Sequence, residues 1–446
     1  MLSKKIVRLL LIGLLVDFSN AHAEANLGHL SLEEAQQLFH ENNKELLIAK
    51  RMVQGAEADA ISAGQKPNPT LSLGLSGINL NRGEGNVNYN PNNINGSSSS
   101  TSNKLLDQTI NSSIQISQLY ERGDKRELRI ASAKNAVKAS QFDLKDAERQ
   151  LLLNLNSAYY DLLLAQEIHK IQIINLGLYE KTLQAAELRL KAGDIAASDV
   201  ARIRVDLLKT QNDVRQAEAN QQKAQVNLAY LIGQENSASQ IKAEGNWPRV
   251  DQISTQFNKN IDARSDVLAA EARTKQAEES QKLANALKVR DVNISLQYQH
   301  LPGQWPNAGD NTVGAAISIP LFTNYEYQGE IARAEVDFTS ALEAKEQTKA
   351  AAISEISRAQ SDLNAATEKA QRFDTQILSE AQKAADAAEF AYNHGATGIT
   401  DLLDSRRVLR ALQLDAASVK ADYAKALAAW QAATQTEAFE NNPAQQ

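Results

Sequence analysis

Two copies of one pattern make up this chain, and the duplication restricts its fold more than any other feature of the sequence. Gly193 in the stretch KAGDIAASDV matches Gly395 in NHGATGITDL, and Leu119 matches Leu321, both at an offset of 202 residues. Because the offset stays constant over about eighty residues, neither copy carries an insertion there. A constant length is expected of a long and rigid pair of helices.

The N-terminal parts of the two copies share their order of elements but differ in length. Residues 66–70 correspond to 288–292 at an offset of 222, so the first copy holds twenty more residues between its strands. We assign residues 24–233 to a first structural repeat with a helix, two strands and a long helical hairpin. Residues 234–446 form the second repeat and a C-terminal tail.

Each repeat is predicted to contain two strands. Ser31 and Glu34 form a capping box, which predicts a helix running toward Ser62. Apolar residues then alternate with small or polar ones over about nine or ten residues, the length of a tilted membrane strand. The alternating positions are Leu71, Leu73, Leu75, Ile110, Ile114 and Ile116 in the first copy, and Val292, Ile294, Leu296, Tyr298, Val313, Ala315, Ile317 and Ile319 in the second. A half-buried hairpin of a soluble domain would give the same pattern.

The segments around the strands favour a membrane barrel. Loop 79–109 is rich in Asn, Gly and Ser, and loop 301–311 joins the second pair of strands. Aromatic residues lie near the strand ends, as in outer-membrane barrels; they are Tyr120, Trp305, Phe322 and Tyr325. Four strands cannot close a barrel alone, and an open edge cannot face lipid. Closure therefore requires further subunits.

Long helices account for most of the remaining chain. Apolar residues at spacings of three and four predict narrow coiled-coil seams; they include Leu151, Leu155, Leu162, Ala217, Ala224, Leu228, Leu363, Ala370, Phe373 and Ile377. Asp124 is predicted to cap a proline-free helix to about Lys191, roughly 100 Å long. Gly193 and Gly395 end the first arms, and the return helices begin near Ser198 and Thr400. The predicted fold is mainly α, with two long antiparallel hairpins and a small β part.

The N-terminus predicts export. Lys4, Lys5 and Arg8 precede the apolar run 9–16, and Ala21-His22-Ala23 supplies a cleavage site, so we assign residues 1–23 to a signal peptide. Beyond it, no apolar run approaches the roughly 20 residues of a membrane-spanning helix, so strands would have to enter a membrane. The net charge of -7 argues against a nucleic-acid partner.

Neither catalysis nor a resident metal is predicted. The absence of cysteine excludes disulfides, thiol catalysis, Cys-based zinc sites and a lipidated cysteine. The histidines show no ligand spacing with one another or with carboxylates; beyond His22 they are His29, His40, His169, His300 and His394. The sequence also contains no nucleophile–base motif, phosphate-binding loop or dinucleotide fingerprint. We expect no enzyme activity and no bound cofactor.

The duplicated order of helix, two strands and helical hairpin resembles the TolC-type outer-membrane efflux proteins. The resemblance covers the mature chain and is most specific at the hairpin turns, RLKAG through Asp199 and YNHG through Asp404. The stretches KPNPTLSL and QLYERGDKRELRI resemble the heavy-metal branch, typified by cobalt–zinc–cadmium exporters. The family's proline before the aromatic is present as Pro320 but replaced by Gln118 in the first copy.

This resemblance implies a trimer with a twelve-stranded β-barrel in the outer membrane and a periplasmic α-helical tunnel. It implies the exit duct of a tripartite efflux system, working with a periplasmic adaptor and an inner-membrane RND pump, and exporting divalent heavy-metal cations. It places Tyr392, Asp401 and Asp404 at a periplasmic constriction, although carboxylates also favour the first turn of any helix. Gly193, Asp199 and Gly395 would contact the adaptor, although a plain helix end also explains the glycines.

Other functions remain open. A drug-efflux duct or a type I secretion duct would share this fold, because the duct is a wide aqueous passage. From a different class, a periplasmic coiled-coil adaptor would also be exported and helical. Such an adaptor would have one hairpin flanked by compact β-domains, whereas this sequence predicts two hairpins and four alternating strands.

Overall fold

The computed structural model describes residues 27–76, 111–250, 261–301 and 310–435. The predicted signal peptide, the whole of loop 79–109, Ile110, and most of loop 301–311 with Trp305 lie outside these ranges. The helices are α1 Leu32–Asn42, α2 Lys44–Ala63, α3 Lys125–Lys191, α4 Ala197–Ile232, α5 Ser265–Ala286, α6 Gln328–Arg372, α7 Leu378–Asn393 and α8 Ile399–Thr434. Within the described ranges, none of them is long and apolar enough to cross a membrane.

Four strands form one antiparallel sheet. They are β1 Thr70–Ser76, β2 Asn111–Tyr120, β3 Val292–Leu301 and β4 Asp310–Ser318, in the spatial order β1-β2-β3-β4. The four predicted strands are confirmed, with Ile319 just after the end of β4. Because β2 of the first repeat pairs with β3 of the second, the sheet joins the two copies. Among the described residues, β1 and β4 each have a strand on one side only.

The register gives the sheet one apolar and one polar face. One cross-strand row contains Leu73, Ile114, Tyr298 and Val313, and the next contains Leu71, Ile116, Leu296 and Ala315. The opposite face carries only small or uncharged polar residues in the corresponding rows, which are Ser72, Gln115, Gln297 and Gly314, then Gly74, Ser113, Gln299 and Thr312. The apolar face is exposed, with Leu73 73% and Val313 80% accessible.

The helical hairpins repeat almost residue for residue. α4 and α8 each have 36 residues, and both ends of α8 are displaced by 202 from those of α4. α3 is one uninterrupted helix of 67 residues, whereas its counterpart consists of α6, a π-helical turn at Phe373–Ile377, and α7. The predicted hairpins and the mainly α fold are confirmed. The predicted seam positions Leu155, Leu162 and Leu363 are buried.

Two local predictions need correction. The first helix does not run unbroken to Ser62, because Asn43 adopts an extended conformation between α1 and α2. Its buried side chain accepts a hydrogen bond from the Leu46 amide and donates one to the Leu231 carbonyl, so the break is stabilised at both sides. Asp124 precedes α3 with a left-handed φ of 55°. This conformation differs from the extended backbone of an N-cap residue.

The chain divides into two compact units that cut across the sequence repeats. One comprises residues 1–47, 149–256 and 357–433, which include the hairpin turns. The other comprises 48–148, 257–356 and 434–446, which include the sheet. Each unit takes elements from both copies, because equivalent elements of the two copies pack together. The repeat bounds themselves stay a prediction.

Candidate functional site at the hairpin turns

The two hairpin turns have the same backbone hydrogen bonds. The Asp194 amide donates to the Arg189 carbonyl at 2.9 Å, and the Ala396 amide donates to the Ala391 carbonyl at 2.8 Å. In each turn, a second hydrogen bond runs from the glycine amide to the carbonyl three residues earlier. This arrangement is a Schellman motif, which satisfies the last carbonyls of the helix.

Gly193 and Gly395 are required by backbone conformation and not by lack of space. Their φ angles are 86° and 72°, in the left-handed region that glycine adopts without steric cost. A Cβ atom added at either position would meet nothing within 4 Å. Both turns are therefore exposed and presented to the surroundings, while the glycines fix how sharply the chain reverses.

A buried apolar cluster supports the turns. Its members come from both hairpins: Tyr179, Ala186, Val200, Ile203, Ile399, Leu402 and Leu403. Ile203 has no exposed surface, and Leu402 and Leu403 are each 2% exposed. Burial raises the pKa of the Tyr179 hydroxyl. Because residues of α3 and α4 pack against residues of α8, the two turns are held beside each other.

Three arginines of α8 add polar links between the hairpins. Arg407 donates to Asp206 of α4 at 2.6 Å, and this hydrogen bond raises the pKa of the Arg407 guanidinium. Arg406 donates to the Thr182 hydroxyl of α3 at 2.6 Å. Arg410 pairs with Asp213 of α4. Charge-assisted hydrogen bonds of this kind fix geometry more strongly than neutral ones.

Sequence reasoning missed these links. The spacing of three and four among Arg406, Arg407 and Arg410 places them on one helix face, which was a detectable signal. Their partners lie about 200 residues away in sequence, however, so only the fold identifies them. A further link runs from the Arg202 guanidinium to the Thr400 hydroxyl at 3.2 Å.

The predicted constriction residues lie together at the second turn but have different surroundings. Asp401 is exposed. Asp404 is also exposed, and it accepts a hydrogen bond from the Arg407 guanidinium at 2.8 Å, so its charge is partly compensated. Tyr392 packs against the apolar cluster, with the Arg189 guanidinium 5.1 Å from its ring centroid. The helix α8 begins at Ile399, one residue before Thr400, as predicted.

Asp199 lies at the equivalent position of the first turn. It is partly buried in the first turn of α4, and its amide donates to the Ala196 carbonyl at 3.1 Å. A carboxylate there is favoured by the positive end of the helix dipole. The structure therefore brings Gly193, Asp199, Gly395 and Asp401 to corresponding positions of two matching turns.

Among the described residues, no group of three or more His, Asp or Glu side chains is arranged to hold a metal ion. The described histidines have other neighbours: His29 contacts Glu244, His169 contacts Gln221, and His300 contacts Asn311. His394 contacts the Phe390 carbonyl at the second turn.

Comparison with known proteins identifies the family. The family described as outer membrane efflux protein matches residues 35–234 and 258–434, which together cover most of the chain and both hairpins. This chain belongs to the outer membrane efflux protein family. Members of this family are efflux proteins and not enzymes. Both turns and the four strands lie within the matched ranges.

Two characterised proteins are similar to the chain. The pyoverdine export outer membrane protein OpmQ of Pseudomonas aeruginosa is 24% identical over 296 residues, covering 65% of this chain and 62% of OpmQ. The cobalt-zinc-cadmium resistance protein CzcC of Cupriavidus metallidurans is 23% identical over 388 residues, covering 86% of this chain and 84% of CzcC. This chain thus aligns with less than two thirds of OpmQ but with most of CzcC.

A solved structure has the same fold. The crystal structure of the channel protein CusC matches with a TM-score of 0.70 at 17% identity, covering 91% of this chain and 92% of CusC. The TolC-type fold predicted from the sequence is therefore confirmed. A coiled-coil adaptor with one hairpin does not describe this chain.

Proposed function

We propose that this chain is the outer-membrane exit channel of a tripartite efflux system that exports divalent heavy-metal cations. Three copies form a twelve-stranded barrel in the outer membrane and a helical tunnel in the periplasm. A periplasmic adaptor and an inner-membrane RND pump complete the system. The predicted signal peptide directs the chain to the outer membrane of a Gram-negative bacterium.

The two-faced, open-edged sheet carries this proposal. Its apolar rows are exposed, and burying them requires lipid or protein. Its opposite face is polar and uncharged in the central rows, as suits contact with water inside a channel. The free edges of β1 and β4 need partners before the sheet can enter lipid. Three chains satisfy both edges by closing one barrel.

The hairpin turns fit a docking and gating role. Gly193, Asp199 and Gly395 lie at exposed or partly buried positions of the two matching turns, where an adaptor would contact them. Asp401 and Asp404 become two rings of carboxylates in a trimer, with Tyr392 beside them at a periplasmic constriction. Such rings attract cations.

Heavy-metal cations are proposed as the substrate because the similarity to CzcC extends over 86% of this chain. Export of pyoverdine is the second candidate, since the chain is also 24% identical to the pyoverdine export protein OpmQ. A deletion strain separates the two. Sensitivity to cobalt, zinc or cadmium supports the metal proposal, whereas unchanged metal tolerance with loss of pyoverdine secretion contradicts it.

The channel itself is tested with purified mature protein. We expect a trimer that is extracted from outer membranes only by detergent and that forms pores in planar lipid bilayers. A water-soluble, monodisperse monomer without pore activity would overturn the proposal.

A further inference from the structure

A basic cleft lies where the strands end and the helices begin. Its volume is about 350 Å³, and it is lined by Arg122, Lys288, Val289, Arg290, Phe322 and Glu326. These residues come from the three linkers that follow β2, precede β3 and follow β4. Three cations thus share one cavity with one carboxylate. The cleft carries an excess of positive charge.

The side chains of these cations have no carboxylate partner in the part of the chain that the structure describes. The Arg122 amide donates to Asp291 at 2.9 Å, but that contact is made by backbone. The nearest acid of the β3 linker, Asp291, is already paired with Lys125 at 2.8 Å. The Arg290 guanidinium lies 5.2 Å from the centroid of the Phe322 ring.

The pairing register brings the two arginines to the same place. The last pair of β2 and β3 is Tyr120 with Val292. Arg122 and Arg290 each lie two residues beyond this pair, and both line the cleft. Like charges brought close together are destabilising, and a bound anion would relieve their repulsion.

The cleft is held in a fixed frame. Gly123 has a φ of 76°, and a Cβ added there would lie 2.8 Å from the Cβ of Val289, so the two linkers are packed as closely as glycine permits. Lys125 also donates to the Val289 carbonyl at 2.8 Å, and its side chain is only 7% exposed. Because these contacts fix the backbone of both linkers, less backbone conformational entropy is lost when the cleft binds a ligand.

We propose that this cleft binds the phosphate of an anionic phospholipid headgroup. Guanidinium groups match phosphate oxygens, and basic pockets beside membrane-embedded surfaces bind anionic headgroups. The Tyr120–Val292 pair lies on the same face as the apolar rows and at the end of the strands that is nearest the cleft. Acyl chains would therefore lie along this face while the phosphate meets Arg122 and Arg290. Phe322, stacked under Arg290, lies at the boundary where aromatic residues are favoured. This inference rests on the proposed membrane position of the sheet.

The test measures binding of phosphatidylglycerol to the purified, delipidated mature protein in neutral detergent by native mass spectrometry. We expect the double variant Arg122→Gln and Arg290→Gln to weaken binding by about tenfold or more. Glu326→Gln should strengthen binding, because it removes the carboxylate from the cleft. The matched control, Lys134→Gln with Lys138→Gln, removes two exposed cations of α3 that lie outside the cleft and should leave binding unchanged.

Two further arms identify the ligand. Diacylglycerol, which lacks phosphate, should not compete, and inorganic phosphate should compete only weakly because it lacks acyl chains. Equal competition by inorganic phosphate would overturn the lipid assignment, and unchanged phosphatidylglycerol binding by the double variant would overturn the site. Membrane extraction of the wild type tests the proposed function separately. A membrane-embedded trimer with unchanged lipid binding in the variant contradicts this inference alone.

Discussion

Arg407 and Asp206 form a 2.6 Å ion pair that joins α8 of the second hairpin to α4 of the first. The Asp206 side chain is 12% exposed, whereas that of Arg407 is 50% exposed. Water therefore screens one partner more than the other. The link should contribute modestly to stability, within the range of partly exposed pairs.

We predict that Arg407→Gln and Asp206→Asn each loosen the packing of the two turns. A double-mutant cycle should give a coupling of about 0.5–1 kcal/mol, because the pair is only partly buried. Hydrogen exchange of backbone amides around the turns measures the effect. Arg333→Gln, which removes an exposed ion pair within α6, serves as a control and should leave this exchange unchanged. Coupling indistinguishable from zero would mean that the apolar cluster alone joins the hairpins.

The second prediction concerns the turn glycines. Replacing Gly193 and Gly395 with valine should cost about 1–2 kcal/mol at each site, because an L side chain is unfavourable at positive φ. Since no atom lies within 4 Å of the added Cβ, alanine should cost nearly as much as valine in thermal stability. Gly177→Ala is the control, because this helical glycine also has open space and alanine favours a helix there. Equal stability of the glycine and valine forms would contradict the conformational argument.

The same double valine variant should keep its trimers in the membrane while losing adaptor cross-linking and metal resistance. Unchanged cross-linking and resistance would exclude the turns as the docking surface.

These glycines also indicate how far sequence reasoning reaches. A constant offset of 202 and a glycine after each long helix were sufficient to predict both hairpins, because turn chemistry is local. Asn43 was not predicted to break a helix, since one of its two side-chain hydrogen bonds is donated to the Leu231 carbonyl, far away in sequence. The π-helical turn at Phe373–Ile377 lies inside a predicted seam. The apolar residues of that seam still follow spacings of three and four, so the periodicity gave no sign of the turn.

A third prediction compares the two faces of the sheet by placing arginine at two adjacent residues, one on each face. Leu73 is on the apolar face, and Ser72 is on the polar face. Leu73→Arg should reduce the yield of folded trimer in lipid vesicles, because a cation facing lipid costs about 2–4 kcal/mol near the bilayer centre. Ser72→Arg should be tolerated and should change only conductance. Equal trimer yields for the two variants would indicate that the apolar face is not in contact with lipid.

A fourth prediction concerns pH. Burial raises the pKa of Tyr159 to about 12, and its hydroxyl lies 3.0 Å from the Leu30 carbonyl and 2.8 Å from the Glu244 carbonyl. The folded protein therefore binds the hydroxyl proton of Tyr159 more tightly than the unfolded chain does, because tyrosines in an unfolded chain have a pKa of about 10. The contribution of Tyr159 to the free energy of unfolding should therefore be fully present below about pH 10. It should fall by up to about 3 kcal/mol as the pH rises to about 12. Tyr159→Phe should make the denaturation midpoint less dependent on pH in this window, and an identical slope would contradict the assignment.

The last prediction concerns the acidic residues of the second turn, and the structure divides their roles. Asp404 is neutralised in part by Arg407, whereas Asp401 forms no ion pair among the described residues. In a trimer, the three Asp401 carboxylates would supply most of the uncompensated negative charge at the mouth. Asp401→Asn alone should therefore abolish most of the cation selectivity and most of the block by multivalent cations in planar bilayers.

Asp404→Asn should act differently, because it removes a carboxylate that Arg407 already compensates and leaves that guanidinium with Asp206 only. At low salt, the reversal potential of the Asp404→Asn channel should differ less from the wild-type value than that of the Asp401→Asn channel does. High salt should reduce both differences by screening. Asp199→Asn in the first turn is the matched control. If Asp401→Asn keeps the wild-type reversal potential and cation block, then Asp401 is an ordinary helix-start residue stabilised by the dipole of α8, and the constriction lies elsewhere.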